Sequence, residues 1–246
     1  MTGITSRTIL AEWADDFGSI PSAKHDFVCG LCLGPVSTYR QCSSCHEIFH
    51  TGRAPFALRH QVLPMTSALN PSRWYSALVR YKGGFHPELG LVLASVAHHF
   101  LNSRAALVRE ALGGDVDVIT PVPSKRAGVT FEDQPLRLAL GRVESIAAKL
   151  RHTLIHDLTV AVARRTYAPR AFTPGPTPVD GKRVLLIEDS WASGATAVSA
   201  AGALLDAGAK SVLITPIARI IPTGYWPEDH PYRTEMTNRW DPDAVD

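Results

Sequence analysis

Apolar positions along this chain follow two rhythms. They recur at helical spacing in "RWYSALVRYKGG", from Arg73, and in "PELGLVLASVAHHFLNSRAALVREALGG", which stops at Gly113 and Gly114. Short apolar runs then alternate with helical patterns. Val116 to Thr120 reads as a strand, "PLRLALGRVESIAAKLRH" as a helix, and Val184 to Ile187 as a short buried strand. Thr196 to Ala207 reads as a helix with Gly208 as its stop, and "KSVLITPIARI" as another strand. "TLIHDLTVAVARR" is strand or strand-like, and the four prolines of "TYAPRAFTPGPTPVDGK" make it a loop. Strands alternating with helices predict an α/β fold around a mostly parallel sheet, where ligands sit beyond the carboxyl ends of the strands. Residues 1–24 read as a weakly structured arm with one short helix from Ile9 to Phe17, and the polar, proline-bearing stretch from Thr223 as a tail.

Composition narrows this little. The 246 residues suffice for one sizeable domain plus a small module. A formal net charge of +2 makes no whole-chain case for nucleic acid or an anionic membrane. No apolar run reaches the roughly 18 residues of a membrane span. The start, "MTGITSRTILAEWADDF", lacks the basic residues and long apolar core of a signal peptide, so a cytoplasmic protein is expected. In that reducing compartment the four cysteines are not expected to form structural disulfides.

The stretch "VLLIEDSWASGATAVSAAGALLDAGA", Val184 to Ala209, carries the chemistry. A buried strand runs into two adjacent acids, Glu188 and Asp189, and then into a loop formed by Ser190, Ala192, Ser193, Gly194, Ala195 and Thr196, with Trp191 inside it. Backbone N–H groups at the start of a helix suit an anion, and the Ser193 and Thr196 hydroxyls can donate to phosphate oxygens. Two carboxylates beside a phosphate suit a neutral, hydroxyl-rich group attached to it. A ribose 5-phosphate meets both demands. A P-loop is excluded because no GxxxxGK[ST] occurs, and the glycine spacing is wrong for a dinucleotide fingerprint.

"VLLIEDSWASGAT" resembles the phosphoribosyl pyrophosphate (PRPP) motif of type I phosphoribosyltransferases, and "ITPVPSKRAG" upstream resembles their pyrophosphate loop. The resemblance implies that PRPP binds with Mg²⁺, that Glu188 and Asp189 hold the ribose hydroxyls, and that Lys125 and Arg126 meet the leaving pyrophosphate. Arg164, Arg165 and Arg170 are candidates to close over the ligand from a flap.

Cys29-x-x-Cys32 and Cys42-x-x-Cys45 form two knuckles nine residues apart, a spacing that closes a tetrahedron of thiolates around a structural zinc. "HEIFH", His46 to His50, matches the HExxH pattern of metalloproteases. It is rejected, because no acid follows between Thr51 and Pro87 and His46 directly follows a knuckle cysteine.

The order of these features, four cysteines, then "ALVRYKGG", "PVPSKR" and the PRPP motif, is similar to the competence protein ComF family. The resemblance implies a zinc module joined to a phosphoribosyltransferase-like domain, and a link to single-stranded DNA as an alternative, non-catalytic role. A sensor of PRPP or a nucleotide is a third reading. The implied division is an arm over 1–24, a zinc module over 25–52, the phosphoribosyltransferase-like domain over 53–222 and a tail over 223–246. No membrane partner is expected; a homodimer and the acceptor nucleophile are left open. "AGVTFEDQPL" departs from the family pattern after the pyrophosphate loop, and "ARRTYAPRAF" is shorter than the family's flap, which favours ligand binding over turnover.

Overall fold

The computed structural model of the protein describes residues 3–37, 39–83, 86–237 and 240. Nine α-helices are defined among them: α1 (Gly3–Trp13), α2 (Ser43–His46), α3 (Arg73–Gly83), α4 (Pro87–Ser103), α5 (Ala105–Leu112), α6 (Pro135–Leu140), α7 (Glu144–Ala147), α8 (Ala195–Asp206) and α9 (Pro231–Thr237). Six strands accompany them: β1 (Thr66–Asn70), β2 (Val118–Pro121), β3 (Leu154–His156), β4 (Phe172–Pro174), β5 (Arg183–Trp191) and β6 (Ser211–Pro222). Four strands build one sheet in the order β1-β6-β5-β2, and every pair is parallel. β3 and β4 form a separate antiparallel pair. The α/β architecture expected from the alternating pattern is therefore present. Among the described residues no single helix is long and apolar enough to cross a membrane.

Alternation along the strands sorts the core into two layers. Leu185, Ile187 and Leu213 face a cluster built with α1, α3, α4 and α6. Val184, Leu186, Val212 and Ile214 face the other way, onto α8 and the cysteine segment. Both faces of the sheet are covered, which explains why β5 and β6 read as nearly continuous apolar runs.

Two expectations about the flanks are corrected. The N-terminal segment is a helix docked on α4, and it spans Gly3–Trp13 rather than Ile9 to Phe17. Trp13, Phe17, Trp74 and Trp240 pack ring against ring, with the Phe17 centroid 5.0 Å from Trp74 and 4.9 Å from Trp240. The sparse apolar spacing of this segment hid a few large rings, each burying much area. The tail holds α9, where Tyr232 and Met236 are buried, so it too belongs to the core. Its last six residues lie outside the described ones. The stretch Thr51 to Asn70, which carries little periodicity, contains the edge strand β1. Leu63 and Met65 already bond β6 through the Ile214 and Pro216 carbonyls before β1 begins.

Two smaller differences follow from local chemistry. The helix expected over residues 135–152 breaks into α6 and α7 at Gly141–Val143, where α7 begins after extended Val143. The long helix after Pro87 breaks at Arg104 into α4 and α5, which cross at 76°.

If the N-terminal segment is part of the core, Phe17→Ala should lower folding stability by about 3–5 kcal/mol, the usual cost of emptying an aromatic site. Urea unfolding followed by tryptophan fluorescence measures this. A loss of about 0.5 kcal/mol, the size of a surface change, would place the arm outside the core.

Candidate functional site

β2 and β5 run side by side, with Pro121 opposite Ile187. Whatever follows each strand therefore emerges at the same edge. The Val122 N–H still bonds the Ile187 carbonyl at 2.9 Å, and beyond that point the chains part around a cavity of about 410 Å³. Glu188, Asp189, Ser190, Ala192, Ser193, Gly194 and Thr196 line one side, and Ser124, Lys125 and Arg126 another. Nine of the ten residues singled out from the acid motif and the upstream cationic loop thus share one cavity. Ala195 does not: it is the first residue of α8, buried and outside the lining.

The acids do not end the strand. Ser190 pairs with Ala218 and Trp191 with Arg219, so β5 continues three residues past Glu188 and the loop proper is Ala192 to Gly194. Gly194 has φ +82°, and a Cβ there would fall within 2.5 Å of the Trp191 ring at Cη2. Trp191 is fully buried, so it serves as the floor beneath the turn and not as a wall for a ligand. Glycine is required here by the protein's own indole as well as by the left-handed backbone. Gly194 makes no side-chain cap, and the Ala195 N–H that opens α8 reaches Ser193 Oγ at 3.5 Å beside the cavity.

Two residues outside the motifs complete the site. α3 starts at the end of β1 and brings Tyr81 and Lys82 over the acids. The Tyr81 hydroxyl donates to Asp189 Oδ2 at 3.0 Å. Lys82 Nζ lies 2.6 Å from Asp189 Oδ1 and donates to Ser190 Oγ at 2.8 Å. Arg126 Nη1 donates to the Lys82 carbonyl at 2.5 Å, tying the cationic loop to α3. Only the "YKG" string hinted at this from the sequence, and nothing in helical periodicity marks a tyrosine–lysine pair as functional.

The two acids differ in state. Glu188 is pushed up to about 8, by burial first and then by the neighbouring Asp189 charge, while Lys82 and Lys125 pull the other way. Its Oε2 is buried with no partner in the structure. Burial and the same Asp189 charge hold the Tyr81 phenol well above its ordinary range, so it stays a neutral donor. The raised Glu188 reduces the negative charge the acid pair presents, and Lys82, Lys125 and Arg126 line the same cavity. That balance favours a ligand carrying several negative charges.

The flap arginines separate. Arg164 lines a smaller adjoining cavity of about 300 Å³ with Lys82, Ser190 and Ala192. Arg165 turns away to Glu47 of the cysteine segment, with Nη1 3.0 Å from Oε1.

The four cysteines come together. One sulfur from each of Cys29, Cys32, Cys42 and Cys45 lies within 4.8 Å of the others, and Cys32 Sγ is 3.7 Å from Cys42 Sγ. A tetrahedral thiolate zinc, with bonds of about 2.3 Å, has sulfur–sulfur edges of about 3.8 Å. The set therefore suits a metal such as zinc. Backbone N–H of Cys42 points at Cys29 Sγ at 3.4 Å, a hydrogen bond of the kind that steadies metal thiolates. The HEIFH residues offer no second metal site. His46 and His50 stack at 4.9 Å, Glu47 is spent on Arg165, and His50 Nε2 is 2.9 Å from Gln41 Oε1. The four-cysteine group is the one metal-ready cluster among the described residues.

A scan of the chain against protein-family models finds no match, and a search of curated proteins finds none.

Two expectations follow from this geometry. Purified protein should carry one zinc per chain, and Cys42→Ser with Cys45→Ser should remove it; elemental analysis that finds the same zinc content in the double variant would exclude these ligands. The second concerns Glu188. Its folded value of about 8 stands above its ordinary 4.5, so the native state holds a proton that the unfolded chain has lost between those values. Stability contributed by that proton is therefore lost as pH rises through the window. Glu188→Gln should melt higher than the wild type at about pH 9 and show no such gain at about pH 4. Parallel melting curves at both values that leave the two proteins equal throughout would mean Glu188 ionises normally.

Proposed function

We propose that the cavity binds PRPP with Mg²⁺ and that the protein transfers the phosphoribosyl group to a nitrogen nucleophile, as the type I phosphoribosyltransferases and ComF-like proteins resembled by its motifs would do. One observation carries the reading. Two stretches some sixty residues apart, the Ser124–Arg126 loop and the run from Glu188 to Thr196, line a single cavity of about 410 Å³ together with Tyr81 and Lys82 of α3. That volume suits a small ligand.

Each part has a task in this reading. The backbone at Gly194 and Thr196, with the Ser193 and Thr196 hydroxyls, grips the 5-phosphate. Asp189 and the unpartnered oxygen of Glu188 accept hydrogen bonds from the ribose hydroxyls. Tyr81 and Lys82 hold the Asp189 carboxylate in place for them. Lys125 and Arg126 take up the charge that develops on pyrophosphate as the C1–O bond breaks and the C1–N bond forms. Mg²⁺ arriving with PRPP would supply further positive charge for the pyrophosphate, and the Asp189 and Glu188 carboxylates are oxygen ligands of the kind it prefers. The zinc module has a structural role.

If the acids recognise the sugar and the loop the phosphate, loss of each should differ in kind. Asp189→Asn removes a charged acceptor, and hydrogen bonds to a charged group contribute about 1.5–3 kcal/mol. It should weaken PRPP roughly 10- to 100-fold while a simple phosphate monoester binds as before. Gly194→Val meets Trp191 and should abolish both. Titration calorimetry with the two ligands decides it, and equal losses for both in a folded Asp189→Asn protein would mean the acids do not read the sugar. Turnover is sought separately, by screening bases and amines for PRPP-dependent release of pyrophosphate.

A further inference from the structure

Arg219 stands at a junction that neither motif accounts for. It projects from β6 opposite Trp191 and is only 6 % exposed. On one side its guanidinium lies against the first cysteine knuckle. A Cβ at Gly34 would fall 2.6 Å from Arg219 Nε and 2.8 Å from Cζ, so a glycine is needed to let the arginine in. Gly34 is part of the metal site's frame, because its carbonyl accepts from the Cys29 N–H at 2.7 Å. The Arg219 charge also interacts with Cys32, Cys42 and Cys45. On the other side, Nη1 donates to the Trp191 and Ala192 carbonyls, both at 3.0 Å. These are the last strand residue and the first loop residue before Gly194.

We infer that Arg219 is a positioning residue that couples the four-cysteine metal centre to the loop Trp191–Thr196, so that the loop keeps its shape only while the metal is bound. The physical reason is charge. A buried guanidinium is costly without an anionic partner. Four thiolates around a divalent cation keep a net negative charge, and that charge holds Arg219 at the knuckle with Nη1 on the loop carbonyls. Without the metal, the cysteine frame that includes Gly34 loosens. Arg219 then loses the packed knuckle that fixes its guanidinium, and its donation to the two loop carbonyls is no longer held in place. Tyr232 of α9 braces the same knuckle by donating to the Leu33 carbonyl at 2.7 Å, which keeps Leu33 and Gly34 against the sheet. That the loop is the phosphate grip rests on the proposed function; that it depends on Arg219 and the metal does not.

The test is hydrogen–deuterium exchange of peptides covering 188–197, on the full chain with zinc bound and after chelation under reducing conditions. In the wild type, chelation should speed exchange in that loop about tenfold or more, the scale expected when hydrogen bonds to a charged donor are lost, while α4 stays protected. Arg219→Met should retain one zinc and show the fast loop exchange already, with chelation adding nothing. A purely structural role would give additive effects instead. Unchanged loop protection in zinc-free wild type, or a rise spread equally over α4, overturns the coupling. The wild-type comparison requires no variant, so a poorly folding Arg219→Met does not leave the question open. Calorimetry with ribose 5-phosphate on the same samples keeps the two proposals apart. If the zinc-loaded protein ignores that ligand, the phosphate assignment fails, and the exchange data still decide the coupling.

Discussion

The pairing of β5 with β6 beyond the acids is the constraint on which the rest of the site depends. Were β5 to end at Glu188, the following loop would be free to wander. The ladder instead runs on to Trp191 opposite Arg219, so only Ala192, Ser193 and Gly194 lie between a fixed strand and a fixed helix. Conformational entropy is already spent over most of this segment, which leaves little for a ligand to order. The buried indole of Trp191 completes the constraint from below, since the turn at Gly194 has no room for a side chain.

The carboxylates show how neighbours set chemistry. Two adjacent acids on one strand would repel if both were ionised. Tyr81 and Lys82 resolve this by engaging Asp189, while burial keeps the Glu188 proton on. Lys82, which helps steady Asp189, also lowers the negative charge of the cavity. An acidic motif can thus sit in a place suited to an anionic ligand.

The cysteine segment is not an appendage. Its Leu31, Ile48 and Phe49 share one apolar cluster with Leu186, Trp191 and Ile214 of the sheet. The segment covers a sheet face that would otherwise be open to water. Both chain ends do similar work on other surfaces, with α1 on α4 and α9 near the first knuckle. A division into arm, module, domain and tail follows the chain but not the packing.

The α/β class, the positions of β5, α8 and β6, and the four-cysteine ligand set were legible in the sequence because each rests on local rules. Apolar periodicity reports which face of an element is buried, and ligand spacing reports what one turn of chain can present to a metal. The meeting of Glu188 and Asp189 with Lys125 and Arg126 was legible only through resemblance, since two loops some sixty residues apart meet through strand order. What only the tertiary structure decided depends on packing between distant segments. Tyr81 and Lys82 look like the polar side of an ordinary helix until α3 is laid over β5. Trp191 looks like part of a ligand loop until its burial is seen. Arg219 looks like a stray charge in an apolar run, "ITPIARII", and its purpose exists only where β6, the first knuckle and the loop converge. A buried charge is decided by its partners, and partners that are distant in sequence leave no periodic trace along the chain.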